Sequence, residues 1–381
     1  MAVALTGGRV LNGHGFVTGQ GVVLEGDRIA AVLPETETLA RADQRVDLQG
    51  AILAPGFVDV QVNGGGGVLF NDDLSVDAIA AIGAAHRKFG TTGFLPTLIS
   101  EDLGAIDRAL RAVEAAIAAG VPGVLGVHVE GPFLNAARAG IHDKKKFRVL
   151  DERASALLGS LSAGVTLVTL APERTEPQMI RRLAAAGVVI AAGHTDADYD
   201  QIRAALEAGV SGFTHLFNAM SPMTARAPGA VGAALEAADG FCGVIVDGRH
   251  VHPAMLRLAL RCKPAERFML VTDAMPSVGL VDKSFTLQGQ TITVQDGVCV
   301  APDGTLAGSD LDMASAVRNT RDLLGLDLPT ALRMASLHPA QFLGLDHEIG
   351  RIAAGQRADL VLLDDDARVQ ATWIGGNPLW T

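Results

Sequence analysis

Eight short apolar runs alternate with helix-like segments along most of the chain, and this alternation limits the fold more than any other feature. The runs cover residues 58–62, 93–99, 124–130, 165–170, 188–193, 212–216, 242–246 and 268–272. Several are continuously apolar, which is expected of parallel strands covered on both faces. Between them lie amphipathic segments at 77–89, 102–119, 177–186, 199–208 and 253–261. Gly90, Gly120, Gly187 and Gly209 stand where four of these segments should end, since glycine accepts the left-handed backbone of a helix terminus. Eight strands alternating with helices predict an α/β fold, a TIM-like (β/α)8 barrel over residues 55–344. A doubly wound open sheet would place a glycine-rich dinucleotide turn after its first strand, and none is present in the required form.

The ends of the chain read differently. Residues 1–54 are short β-type runs with Gly and Asp turns and no helical periodicity. Strand-like text returns at 358–363 and 369–374. The two ends together predict one small β-sandwich domain, residues 1–54 plus 345–381, with the barrel inserted in it. Late in the barrel, residues 285–300 alternate around turns at Gly289 and Asp296–Gly297 and predict an inserted β-hairpin. Helices are expected over 310–324 and 330–343, and the acidic triplet 364–366 reads as a solvated turn.

With 49% hydrophobic and 19% charged residues, disorder is excluded as the main state. Lys plus Arg number 31 against 42 Asp plus Glu, a net charge of −11, which argues against nucleic acid as a partner. No uninterrupted apolar stretch is long enough to span a membrane. The opening MAVALTGGRVLNG lacks the basic start and cleavable apolar segment of a secretory signal. Cys242, Cys262 and Cys299 are scattered without a CxxC pair. The expectation is a cytoplasmic protein with reduced thiols.

Barrel active sites form at the C-terminal ends of the strands. Here those ends carry Gln61 and Asn63; His128 and Glu130; His194; His215; Asp247 and His250; and Asp273. Glu130, His194 and His215 form a two-histidine, one-carboxylate set from three different strands. Such a set suits one divalent metal, Zn²⁺ first, with Fe²⁺, Co²⁺ or Mn²⁺ acceptable, and it leaves a position open for water. His128 has the same facing as Glu130 one layer lower and reads as a supporting residue. Asp273 reads as the general base toward the attacking water and then as the acid for a leaving amine. The run Gly64–Gly67 lacks the Lys-Ser/Thr ending of a nucleotide phosphate loop and is read as a turn.

The strings HVEGPF at 128–133 and THLFNAM at 214–220 are specific. With AAGHT at 191–195, DGRH at 247–250, VTDAM at 271–275, LAGS at 306–309 and APGFVD at 54–59, they make the whole chain resemble the N-acetylglucosamine-6-phosphate deacetylases of the amidohydrolase superfamily. The resemblance implies hydrolysis of an N-acetyl group on a 6-phosphorylated amino sugar. It implies Glu130, His194 and His215 on the metal, Asp273 as catalytic base and acid, and His142 polarising the acetyl carbonyl. Substrate contacts are implied for Ile141, His142, Asn218, Ala219, Arg226, Asp247, His250, Leu306, Ala307, Gly308 and Ser309. Arg226 is expected to reach the phosphate across the interface of a homodimer. Where many amidohydrolases carry His-x-His, this chain has Gln61 and Asn63. Amides are poor zinc ligands, so the second metal position is expected to be vacant. Lys144–Lys146 are read as steering an anionic substrate. Alternatives are the N-acetylgalactosamine 6-phosphate epimer, another amidase of the superfamily, or an inactive structural barrel.

Overall fold

The computed structural model describes residues 1–295 and 297–381. Eight parallel strands form the central sheet: β1 (Phe57–Val62), β2 (Thr91–Ile99), β3 (Gly126–Glu130), β4 (Val165–Leu170), β5 (Val189–Ala192), β6 (Gly212–Phe213), β7 (Phe241–Val244) and β8 (Phe268–Leu270). They are hydrogen-bonded in sequence order. The edges meet just past β8. The Asp273 N–H donates to the Gln61 carbonyl at 3.0 Å, and Val62 bridges Ala274. The Asp59 carboxylate adds a side-chain bond, accepting the Thr272 hydroxyl at 2.5 Å. The sheet thus closes into the expected barrel, and its closure lies at the end where the site residues stand.

The strands are buried along both faces because helices cover them, including α1 (Val76–Arg87), α2 (Leu103–Ala118), α3 (Glu152–Leu158), α4 (Pro177–Ala185), α5 (Tyr199–Ala208), α6 (Gly229–Glu236) and α7 (Pro253–Cys262). Their starts follow side-chain chemistry. Ser75 and Asp102 accept backbone N–H groups of the first turns of α1 and α2, and Asp198 with Gln201 forms a capping box on α5. All four glycines expected at helix ends have positive φ.

The inserted segment is larger than a hairpin. β9 (Phe285–Leu287), β10 (Gln290–Gln295) and β11 (Val298–Val300) are joined by β12 (Leu306–Ser309) in one antiparallel sheet. Of the expected turn at Asp296–Gly297, Asp296 lies outside the described residues. After α8 (Met313–Leu324), the single helix expected over 330–343 is two helices, α9 (Leu328–Ala335) and α10 (Leu337–Phe342). Pro339 is the reason, since it has no N–H for the Ala335 carbonyl and its ring crowds that group.

The terminal segments build two β-sheets. In one, Ile52–Pro55 pairs with Arg9–Leu11 on one side and with Leu360–Leu363 on the other, so both ends of the chain share a sheet. Leu5, Val22, Ile29, Leu53, Leu362 and Trp373 pack between the two sheets. A short helix, Glu35–Ala40, interrupts the β text; it is too brief to leave a periodicity in the sequence. No helix among the described residues is long and apolar enough to cross a membrane.

Candidate active site

Inside the barrel a polar layer supports the site. His128 contacts Thr169 Oγ1 at 2.7 Å and Thr97 Oγ1 at 3.3 Å, and Thr169 shares a further hydrogen bond with Thr214. Burial pushes His128 down to about 4, so at neutral pH it is an uncharged support, one layer below the strand ends.

Above it the chain turns sharply. His194 (φ 47°), His215 (φ 33°) and Asp273 (φ 53°) all occupy the left-handed region, which non-glycine residues rarely adopt and which costs about 1–3 kcal/mol each. β6 gives way to this turn after Phe213: the Thr214 and Leu216 N–H groups still donate to the Ala192 and Gly243 carbonyls of the neighbouring strands, and between them His215 turns inward.

The three side chains expected to hold a metal converge. Glu130 Oε1 lies 3.2 Å from His194 Nε2 and 3.1 Å from His215 Nε2, and the two Nε2 atoms are 3.1 Å apart. All three residues are buried. His194 Nδ1 faces the Arg138 carbonyl at 2.8 Å, and a carbonyl can only accept. A proton therefore sits on Nδ1, which leaves Nε2 as the atom of this ring able to ligate a metal. Burial opposes ionisation of Glu130, yet His194 and His215 hold it well below the usual carboxylate range. A carboxylate oxygen and two imidazole nitrogens crowded within hydrogen-bond distance fit a divalent cation that prefers this donor set.

Asp273 stands beside this group. Its Oδ1 accepts from Asn63 Nδ2 at 2.6 Å and from Gln61 Nε2 at 3.2 Å; the same Gln61 nitrogen reaches Glu130 Oε1 at 3.2 Å. The amide nitrogens of Gln61 and Asn63 are thus engaged as donors that orient the carboxylate, while the buried Asn63 Oδ1 has no partner among the described residues. Burial, and then the Glu130 charge, push Asp273 up to about 6. His142 lies on the other side, with Nε2 3.9 Å from Glu130 Oε1 and Nδ1 2.7 Å from Ser100 Oγ. Burial and the neighbouring His194 push it down to about 3, so it is a neutral imidazole.

These groups open into a cavity of about 340 Å³. Of the residues expected at the substrate, Ile141, His142, Asn218, Ala219, His250, Leu306 and Gly308 line it. Ala307 and Ser309 do not: they alternate away on β12, Ala307 into an apolar cluster and Ser309 Oγ onto the Thr272 carbonyl at 2.6 Å. Asp247 stands behind His250, its Oδ2 2.5 Å from His250 Nδ1. Arg226 is exposed on the loop after β6 and is not in this lining, and neither are Lys144–Lys146. Sequence reasoning missed Ser100, which follows β2 directly; the rule of strand ends applied to that strand would have found it. It also missed Arg138, which lines the cavity and pairs with Asp196 at 2.8 Å.

Comparison with known proteins agrees with this geometry. Residues 52–379 match the amidohydrolase family, and residues 3–53 match the NagA composite domain. The N-acetylgalactosamine-6-phosphate deacetylase of Shewanella sp. (strain ANA-3) is 45% identical over 87% of this chain and 84% of its own. The N-acetylglucosamine-6-phosphate deacetylase of Bos taurus is 41% identical over 89% and 86%. The crystal structure of N-acetylglucosamine-6-phosphate deacetylase from Pasteurella multocida superposes with a TM-score of 0.96 at 34% identity, covering 100% of both chains. With its barrel closed around a Glu-His-His group and its length matched throughout, the chain belongs to the amidohydrolase family, beside relatives named as deacetylases of phosphorylated amino sugars.

Proposed function

We propose that the protein hydrolyses the N-acetyl group of N-acetyl-D-glucosamine 6-phosphate to D-glucosamine 6-phosphate and acetate, in cytoplasmic amino-sugar catabolism or cell-wall sugar recycling. The observation that carries this reading is a buried carboxylate, Asp273, held by two amides beside the Glu130, His194 and His215 group at the cavity. One divalent cation on Glu130, His194 and His215, zinc first, would supply the Lewis acidity that makes water nucleophilic at neutral pH. Asp273 takes the proton from the attacking water as its oxygen adds to the acetyl carbon. It then gives that proton to the nitrogen as the carbon–nitrogen bond breaks, and acetate leaves. A group poised near 6 can do both. Ser100 donates to His142 Nδ1 in this scheme, so that Nε2–H faces the acetyl oxygen and stabilises its developing charge.

His250 and Asn218 contact the sugar phosphate end, with Leu306 and Gly308 covering the ring. Arg226, exposed outside its own cavity, serves the second protomer of a homodimer. Mixed dimers of Arg226→Ala and Asp273→Asn protomers, each nearly inactive alone, would then regain part of the activity through one intact site. No recovery in verified mixed dimers would remove the interface role.

The 45% identity to a galactosamine-epimer enzyme favours a second reading, deacetylation of N-acetyl-D-galactosamine 6-phosphate. Acetate release from both phosphorylated epimers, with unphosphorylated N-acetylglucosamine alongside, separates them. The proposal expects the glucosamine epimer to give the higher kcat/KM, and the unphosphorylated sugar to fall by at least about 100-fold for loss of a charge-assisted phosphate contact. A preference for the galactosamine epimer establishes the second reading; equal turnover without phosphate sinks both.

A further inference from the structure

The fourth barrel strand supplies no metal ligand, yet the turn after it carries a carboxylate that ties together the loops on either side of His194. Glu173 Oε1 accepts Asn135 Nδ2 at 2.9 Å and the Asp196 N–H at 2.6 Å, while Oε2 accepts the Thr195 hydroxyl at 2.5 Å. Asn135 belongs to the loop after β3, and its N–H donates to the His194 carbonyl at 3.0 Å. Three residues on, Arg138 offers the carbonyl that fixes the His194 ring through Nδ1, and its guanidinium returns to Asp196. Thr195, fully buried, donates its N–H to the Ala219 carbonyl and so carries the bracing to the loop after β6. His194 is therefore held at its carbonyl, at its ring and through the two residues that follow it, in a left-handed conformation (φ 47°) that a non-glycine residue keeps only when its surroundings enforce it.

We propose that Glu173 is a positioning residue for the metal centre. It acts through Asn135, Thr195 and Asp196, holding His194 so that its Nε2 converges with Glu130 Oε1 and His215 Nε2. The inference rests on the metal reading of those three residues but not on the identity of the substrate. Replacing Glu173 with alanine would release three donors at once and let His194 relax out of its strained turn. Groups that orient a metal-ligating histidine are worth about 10–100-fold in metal affinity. Glutamine is the milder change. Its amide oxygen can still accept Asn135 and Asp196, and its nitrogen can donate to the Thr195 oxygen.

The test is zinc affinity by chelator competition on the full-length protein, with thermal melting of the metal-free forms. For Glu173→Ala the expected result is zinc binding weakened about 10–100-fold, with Glu173→Gln recovering much of the loss. Affinity of Glu173→Ala within about twofold of wild type would overturn the proposal, whether or not the melting temperature falls. If Glu173→Ala does not fold, Thr195→Val removes one arm of the same brace: weaker zinc binding upholds the role and unchanged binding rejects it. A wild type that binds no divalent ion would overturn the metal reading and this inference with it.

Discussion

Asp59 is buried where the barrel closes, and burial pushes its carboxyl up to about 7. Because the folded protein holds this proton more tightly than the unfolded chain, the linked stability is full below about pH 4 and is lost as pH rises through about 7. In metal-free protein, Asp59→Asn should therefore flatten the decline of melting temperature between pH 5 and 7. Equal slopes for wild type and variant would show that Asp59 is not protonated in the fold. The placement of single residues was legible in the sequence where position along a strand decides it. Glu130, His194, His215 and Asp273 follow their strands, and strand ends point to the barrel mouth. Direction was harder to read. Asp247 was expected at the substrate, yet its carboxylate turns back onto His250 and onto the N–H groups of Arg249 and His250. Such a local turn is chosen by hydrogen bonding within four residues, and nothing in residue type announces it.

At the scale of elements, the strands that carry the site were legible because parallel strands covered on both faces must be apolar throughout. β4 and its run coincide at Val165–Leu170. β8 is shorter than its run because the chain beyond Leu270 is given over to barrel closure and to the turn that presents Asp273. β12 was not legible as a strand. Leu-Ala-Gly-Ser has little strand propensity, and Gly308 is required for a different reason. It has φ 68°, and a Cβ there would meet Met275 at 2.6 Å and the Asp273 carbonyl at 2.8 Å. The N–H of Ser309 donates to that carbonyl and its own carbonyl accepts from Met275, so the inserted sheet is stitched directly to the segment carrying Asp273. A wall of the cavity and the segment bearing the Asp273 carboxylate are thereby one piece of backbone structure.

For the whole molecule, the terminal sheets and the barrel divide the work. The sheets join both ends of the chain through Ile52–Pro55 and Leu360–Leu363, immediately before β1 begins at Phe57. The barrel then gathers side chains from β1, β3, β5, β6 and β8 at one end. A net charge of −11 would repel an anionic sugar phosphate at long range, but screening limits that field to about 10 Å at moderate salt. Arg138 lines the cavity, and Arg226 and Lys144–Lys146 stand on loops after the strands, outside its lining.

The central claim is that one divalent ion on Glu130, His194 and His215 makes the site competent. It is tested most directly by stripping the protein of metal and titrating zinc back while acetate release from N-acetyl-D-glucosamine 6-phosphate is followed. Activity should be absent at the start, rise in proportion to added zinc and level off at one equivalent per chain, because Gln61 and Asn63 turn amide nitrogens to Asp273 where a second metal would need histidine-type ligands. Full turnover in the stripped protein, or a plateau only at two equivalents, would contradict the account.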